Sequence, residues 1–338
     1  MTYFSGRRLP SLALLAICLL PATYAYADKK LDLTSPAVVA FVDRMEAEHH
    51  MAPDQTLGIL AEARVQPKII EIMSRPAEKV MPWYEYREIF LTDKRIDAGL
   101  EFWSEHQETL AQISDKTGVP EEIITGIIGV ETFYGRITGN YRVIDSLATL
   151  AFEYPPRGKF FTSEFEQFLL LVTEHDIDPL VVTGSYAGAM GGPQFISSSY
   201  RAYAVDGSGD QRVDLWSEWA DVIASVANYF MVHGWKSEDP VMSSVDGAVP
   251  PGAISKGTKL DRNIGSLLEQ GVKFDSLDSK HAKAMLFALE YHDGPGYWVG
   301  YNNFYVITRY NHSVMYATAV YQLSTAIRQR REAAIDEG

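Results

Sequence analysis

The chain has 338 residues, and its 44 acidic side chains outnumber 30 basic ones for a formal charge of −14. That balance excludes nucleic-acid binding, which needs a basic face; an anionic polymer stays admissible as substrate if basic residues gather in a cleft. The only cysteine, Cys18, excludes intramolecular disulfides.

In chain order, residues 1–27 read as a secretory signal peptide. Arg7 and Arg8 precede the apolar run Leu9–Leu20, and Ala25-Tyr26-Ala27 is a small-residue cleavage pattern. The run is too short to span a bilayer and Pro21 breaks it. A lipid anchor on Cys18 would want a small residue before it, and Ile17 is not small. The mature part is then cysteine-free, long enough to bury an unstapled core, and about two domains' worth of chain at roughly 150 residues each.

Most of that part has helical periodicity. Helices are expected over 36–50 and over 54–73, the latter divided by Pro67, with Pro76 and Pro82 marking a connector. Ile96, Leu100, Trp103, Leu110 and Ile113 predict one long amphipathic helix over 93–116. After Gly118-Val119-Pro120, a helix begins with Pro120, Glu121 and Glu122 and is expected to end at Gly135 as its C-cap. Further helices are expected over 162–176 and 215–233. Residues 241–280, rich in Gly, Pro and Ser, read as a small, partly β module; helix signals return at 281–290 and 313–330.

Four stretches carry candidate chemistry. Glu131 shares a helix face with Ile124, Ile127 and Ile128. A carboxyl held there loses solvation and its pKa rises, as a general acid requires; the bland alternative is a helix-edge glutamate that reaches solvent. Gly126 and Gly129 each cost a helix interior about 1 kcal/mol relative to alanine, so something should approach that backbone closely. "GSYAGAMGGPQF" (184–195) is a bare wall that a ligand could approach, with Ser185 and Gln194 as its hydrogen-bonding groups, or else a tight loop packed between helices. Thr183 rules out a nucleophile elbow. "DGSGDQRVDLWSEWAD" (206–221) places Asp206, Ser208 and Asp210 at alternate positions, like the first ligands of an EF-hand, but Gln211 stands where glycine is usual and Ser217 where glutamate is. An ordinary solvated turn competes with a metal site there. "YNNFYVITRYNHSVMY" (301–316) combines aromatic and amide groups that suit sugars, or a Tyr-rich core helix. No HExxH and no paired histidine ligands occur.

"VETFYG", "SYAGAMGGPQF", "SVANYFMVHGW", "NFYVITRYNHS" and "YEYREIFLTDKRIDAGLEFW" together resemble the lytic murein transglycosylase B family over about residues 35–335. The resemblance implies a mainly α (α+β) fold: a goose-type-lysozyme-like helical core with an N-terminal α domain and a small inserted β domain. The corresponding division is 28–115 N-terminal, 116–240 catalytic core, 241–280 β insertion and 281–338 C-terminal helices. It implies a periplasmic enzyme that cleaves the β-1,4 MurNAc–GlcNAc bond of peptidoglycan strands non-hydrolytically, giving 1,6-anhydro ends. The family's catalytic glutamate falls on Glu131. Its glycan-cleft residues fall on Arg157, Ser185, Gln194, Tyr229, Tyr310, Asn311 and Tyr316. Its metal loop falls on Asp206, Ser208, Asp210 and, after a one-residue insertion, Asp221, for a structural Ca2+; catalysis needs no cofactor. One departure is Pro156, where members often carry a second arginine beside Arg157. A monomer is expected, acting on peptidoglycan strands; partners among cell-wall synthesis or division proteins are not identifiable from sequence. The competing readings are a lysozyme-type hydrolase, for which Asp145 or Glu153 would have to activate water, and a non-catalytic glycan-binding protein.

Overall fold

A computed structural model describes residues 29–74, 81–275 and 280–336; the signal-peptide expectation lies outside them. Strand β1 (Lys29–Lys30) pairs with β2 (Arg64–Val65) around two helices. Helix α1 (Pro36–His49) is capped by Ser35, whose hydroxyl accepts from the Val38 amide, and it buries Val38, Phe41, Val42 and Met45 on one face. Helices α2 (Pro53–Ala61) and α3 (Pro67–Ser74) are separated as Pro67 requires, since it cannot continue the first helix. Helix α4 (Trp83–Phe90) follows.

The single helix expected over 93–116 is two: α5 (Asp93–Glu105) and α6 (Gln107–Thr117). His106 interrupts them at φ −112, ψ 22, with its ring 4.5 Å from Phe102 and 5.7 Å from Trp219. Periodicity on both sides of the break stays in phase, so the pattern alone does not reveal it.

The core is built on α7 (Glu121–Thr132), in which every residue from Ile123 to Val130 is buried. After β3 (Tyr141–Arg142), α8 (Val143–Phe152) and α9 (Gly158–Glu174) pack side by side, β4 (Thr183–Gly184) closes on β3, and α10 (Ser197–Tyr203) follows. Helix α11 (Trp219–Val232) starts later than residue 215 because Glu218 caps it, accepting from the Ala220 amide at 3.1 Å.

A five-stranded antiparallel sheet then forms, comprising β5 (Met242–Asp246), β6 (Arg262–Asn263), β7 (Lys273–Phe274), β8 (Lys283–Tyr291) and β9 (Gly294–Gly300), in the order β6-β8-β9-β5-β7. The short α12 (Ile264–Glu269) lies against it. The helix expected at 281–290 is therefore a strand, and the sheet runs past residue 280 to Gly300. Both faces of β8 are buried over Ala284–Phe287. Ala284 and Leu286 join a small core with Ile264, Leu267 and Val299, whereas Met285, Phe287 and Leu289 face the main core. A strand buried on both sides loses the alternation that identifies it. Helices α13 (Asn302–Tyr310) and α14 (Val314–Asp336) return to the body, where α14 packs on α7, α5 and α4. No helix among the described residues is long and apolar enough to cross a membrane.

Candidate active site

Glu131 occupies the last turn of α7. Its side chain is half-buried, and burial raises its carboxyl from the usual 4.5 to about 7. The Tyr316 hydroxyl donates a short hydrogen bond to Oε1, which opposes that rise. No neighbouring carboxylate contributes. The environment is instead phenolic. Burial and the Glu131 charge together push the hydroxyls of Tyr310 and Tyr316 well up, and Tyr86 upward. Tyr86 is the residue that sequence reasoning missed. It sits on α4, about 45 positions before Glu131, and only the packing of α4 on α14 brings it to the site.

The two helix glycines do admit close neighbours, but these are protein. A Cβ on Gly126 would stand 2.0 Å from Ser324 Oγ of α14, and one on Gly129 would stand 2.5 Å from the Tyr134 hydroxyl. Gly126 lets α14, and with it Tyr316, lie against α7, and Gly129 makes room for the Tyr134 ring. The helix ends at Thr132 and not at Gly135. Phe133, Tyr134 and Gly135 all take left-handed φ values of 51°, 58° and 78°. The Thr132 hydroxyl accepts from the Gly135 amide at 3.0 Å and donates to the Gly192 carbonyl at 3.1 Å, tying the turn after Glu131 to the glycine-rich loop.

That loop is bare for the same internal reason. Gly191, at φ 66°, would place a Cβ 2.2 Å from the Leu215 carbonyl oxygen. The expectation that its glycines clear space for a ligand gives way to a tightly packed turn. Ser185 Oγ accepts from the amides of Ala187 and Ala189 at 3.3 and 3.0 Å. Gln194, itself left-handed at φ 51°, donates from Nε2 to the carbonyls of Thr138 and Gly191, both at 3.0 Å. Among the described residues the Ser185 O–H and the Gln194 Oε1 have no hydrogen-bond partner.

Tyr310 donates to the Pro193 carbonyl at 2.6 Å, joining the aromatic wall to this loop. Tyr229 packs 4.8 Å from Tyr310 and donates to the Arg309 carbonyl at 2.7 Å. Asn311, exposed, ends α13 between the two site tyrosines. Arg157 is exposed on a short 3-10 turn with its guanidinium 4.3 Å over Phe160. Among the described residues, Arg157, Ser185, Gln194, Tyr229 and Asn311 make no hydrogen bond, ion pair or ring contact with Glu131.

Neither acid weighed as a water activator meets the site. Asp145 is buried and fully engaged, accepting from Arg142 at 2.7 and 2.9 Å and from the Arg64 amide at 2.8 Å. Glu153 is exposed at the end of α8.

In the acidic loop, Asp206 accepts from the amides of Gly209 and Gln211 and from the Ser208 hydroxyl. Asp210 accepts from the Arg212 amide. Buried Asp221 accepts from the amides of Gly207, Ser208 and Asp214. Gln211 makes the left-handed turn, at φ 71°, that glycine usually takes. The donors are all oxygen, which suits a hard cation. The one cluster of convergent acid and histidine ligand atoms among the described residues is elsewhere, at Glu48, His49 and Glu166. There Arg44 already pairs with Glu166 at 2.9 Å. A groove of about 760 Å³ between residues 174–183 and 211–216 also lies away from Glu131. The chemistry follows the carboxyl, since volume alone supplies no proton.

The sequence profile of the Transglycosylase SLT domain family matches residues 34–325. The membrane-bound lytic murein transglycosylase B of Escherichia coli (strain K12) is 40% identical over 306 residues, spanning 88% of this chain and 84% of that protein. Among solved structures, the soluble lytic transglycosylase SltB1 of Pseudomonas aeruginosa superposes with a TM-score of 0.84 at 46% identity, covering 88% of this chain and all of that one (100%). The Escherichia coli lytic transglycosylase Slt35 in complex with calcium gives 0.82 at 40% identity, covering 90% and 96%.

Proposed function

The chain belongs to the Transglycosylase SLT domain family, and from that premise we propose that Glu131 is the single acid–base of a non-hydrolytic cleavage of peptidoglycan. The protein is a lytic transglycosylase, a lyase acting on the glycan strand, with a mainly α, lysozyme-like fold.

The observation that carries the assignment is one carboxyl held near pKa 7 by burial, with phenols around it and no second acid among the described residues acting on it. Near neutral pH such a group exchanges a proton in either direction at little cost. Protonated Glu131 gives its proton to the glycosidic oxygen of the MurNAc–GlcNAc bond as the C1–O bond breaks. Positive charge develops at the muramic C1, where the 2-acetamido group shares it. The Glu131 carboxylate then removes the proton of the C6 hydroxyl as O6 bonds to C1. The proton balance closes, and the product is a 1,6-anhydro end. The nucleophile is tethered to the electrophile, so no acid is needed to activate water. Tyr316 donates to the carboxylate between the two transfers and stabilises that charged form. Ser185, Gln194, Tyr229, Tyr310, Asn311 and Arg157 form the glycan cleft.

The engagement of Asp145 favours this reading over a hydrolase. The loop at Asp206, Ser208, Asp210 and Asp221 holds a Ca2+ that stabilises the fold and takes no part in the reaction; the left-handed Gln211 supports this. The leader-like residues 1–27 support action in the periplasm. We also propose a division into an N-terminal α part, the core, and a β module that extends to Gly300.

Glu131→Gln is the direct test. It removes the titratable proton with almost no change in shape, so turnover should fall by the ~10²–10⁴ that general acid–base catalysis supplies. A variant that folds and keeps more than about a tenth of the activity would sink the assignment.

A further inference from the structure

Thr132 follows Glu131 and ends α7, and it is fully buried. Its hydroxyl oxygen accepts from the Gly135 amide at 3.0 Å. Its one proton faces two carbonyls, Ile128 at 3.2 Å in its own helix and Gly192 at 3.1 Å in the glycine-rich loop. A helical threonine ordinarily spends that proton on the carbonyl four residues back. Thr125 does so on the same helix, donating to Glu121 at 2.8 Å. Thr132 differs because the chain beyond it needs holding. Phe133 and Tyr134 both take left-handed φ, which residues with side chains disfavour. The bond from Gly135 fixes the far end of that reversal, and the bond to Gly192 fixes the reversal to the loop.

The loop end of this tie leads back to the site. Gly192 is held from behind, since its amide donates to the Leu215 carbonyl at 2.7 Å. The next carbonyl, of Pro193, accepts from Tyr310, a phenol that senses the Glu131 charge. The path from Glu131 through Thr132, Gly192, Pro193 and Tyr310 therefore closes on the carboxyl where it begins. Tyr316 of α14 and Tyr86 of α4 act on the same carboxyl from other helices. We infer that Thr132 is a positioning residue: its hydroxyl sets the Glu131 carboxyl against the glycine-rich loop and the Tyr310 ring, so that one group stays within reach of both proton transfers. The inference rests on the proposed function and deepens it by naming what aims the acid.

The test compares full-length variants on soluble, uncross-linked glycan strands. Anhydro ends are counted by mass spectrometry, and rates are taken per folded molecule. Thr132→Val keeps the shape and loses the hydroxyl; Thr132→Ala loses it with less bulk and serves if the valine variant does not fold. In either, kcat should fall about ten- to a hundredfold, the scale of a misplaced catalytic group, with KM within about twofold of the parent. A carboxyl released from this tie opens to water, which favours its charged form. The alkaline limb of the rate profile should therefore move to lower pH. Thr132→Ser should restore both the rate and the limb. Thr125→Val, which deletes a buried hydroxyl bonded within α7, should change neither. Unchanged kcat or an unmoved limb in the hydroxyl-free variants, a serine variant as slow as they are, or equal slowing by Thr125→Val would overturn the inference while leaving the proposed function standing. Failure of both hydroxyl-free variants to fold would mark the hydroxyl as structural and overturn it too. A parent that forms no anhydro ends would overturn the proposed function and the inference together.

Discussion

At the scale of single residues, the site turns on how burial and one hydroxyl set the proton affinity of Glu131. Burial raises its pKa to about 7, and the Tyr316 hydrogen bond, made to the charged form, pulls the other way. The first proton transfer needs the acid form. Activity should therefore be present below about pH 7 and be lost as pH rises through it. Tyr316→Phe removes the opposing contribution, so the alkaline limb of the kcat/KM profile should move to higher pH while the maximal rate falls. An unmoved limb would show that the hydroxyl does not act on Glu131. The same raised pKa makes the native state bind more protons than the unfolded chain between 4.5 and about 7. Glu131 thus lowers stability as pH rises through that window. Glu131 was legible in the sequence because its spacing placed it with Ile127 and Ile128. Tyr86 was not, since its place depends on how α4 packs and no local pattern encodes that.

At the scale of elements, the glycine-rich loop shows where composition misleads. Its glycines were readable as a bare surface, but not which side was bare. Leu215 fills the space beside Gly191, and Ser185 and Gln194 spend part of their hydrogen-bonding capacity within the loop. Gly191→Ala should therefore lower the melting temperature sharply, because a left-handed residue and a backbone clash together cost about 2–5 kcal/mol. A variant that melts normally and has lost only glycan affinity would restore the ligand-wall reading. The acidic loop makes the converse case. Its alternating oxygens were visible, and the left-handed turn at Gln211 removes the objection raised by the missing glycine. Added calcium should raise the melting midpoint and a chelator should lower it, with turnover per folded molecule unchanged. An unchanged midpoint in both would leave an ordinary turn. The strand β8 was misread as a helix because Ala284–Phe287 are buried on both faces, although Asp293-Gly294, a hairpin signal, stood just beyond it. The break at His106 was invisible for the related reason that it preserves the phase of its flanks.

At the scale of the whole molecule, the site is assembled from segments that lie far apart in the chain. Helix α7 brings Glu131, α4 brings Tyr86, α13 and α14 bring Tyr310 and Tyr316, and the β sheet lies between α11 and α13 in sequence. The sheet is coupled back to the site region, since Tyr84 of α4 stacks on His292 of the β8–β9 turn with centroids 4.1 Å apart. Motif order along the chain made the family legible; the convergence of those motifs on one carboxyl required the fold. The central claim is that this single carboxyl closes a ring within the muramic acid and does not activate water. The measurement that tests it most directly is mass spectrometry of glycan products formed by the mature protein in 18O-enriched water. The account predicts 1,6-anhydromuramoyl ends with no 18O. Reducing muramic ends that carry 18O would contradict it and make the enzyme a hydrolase.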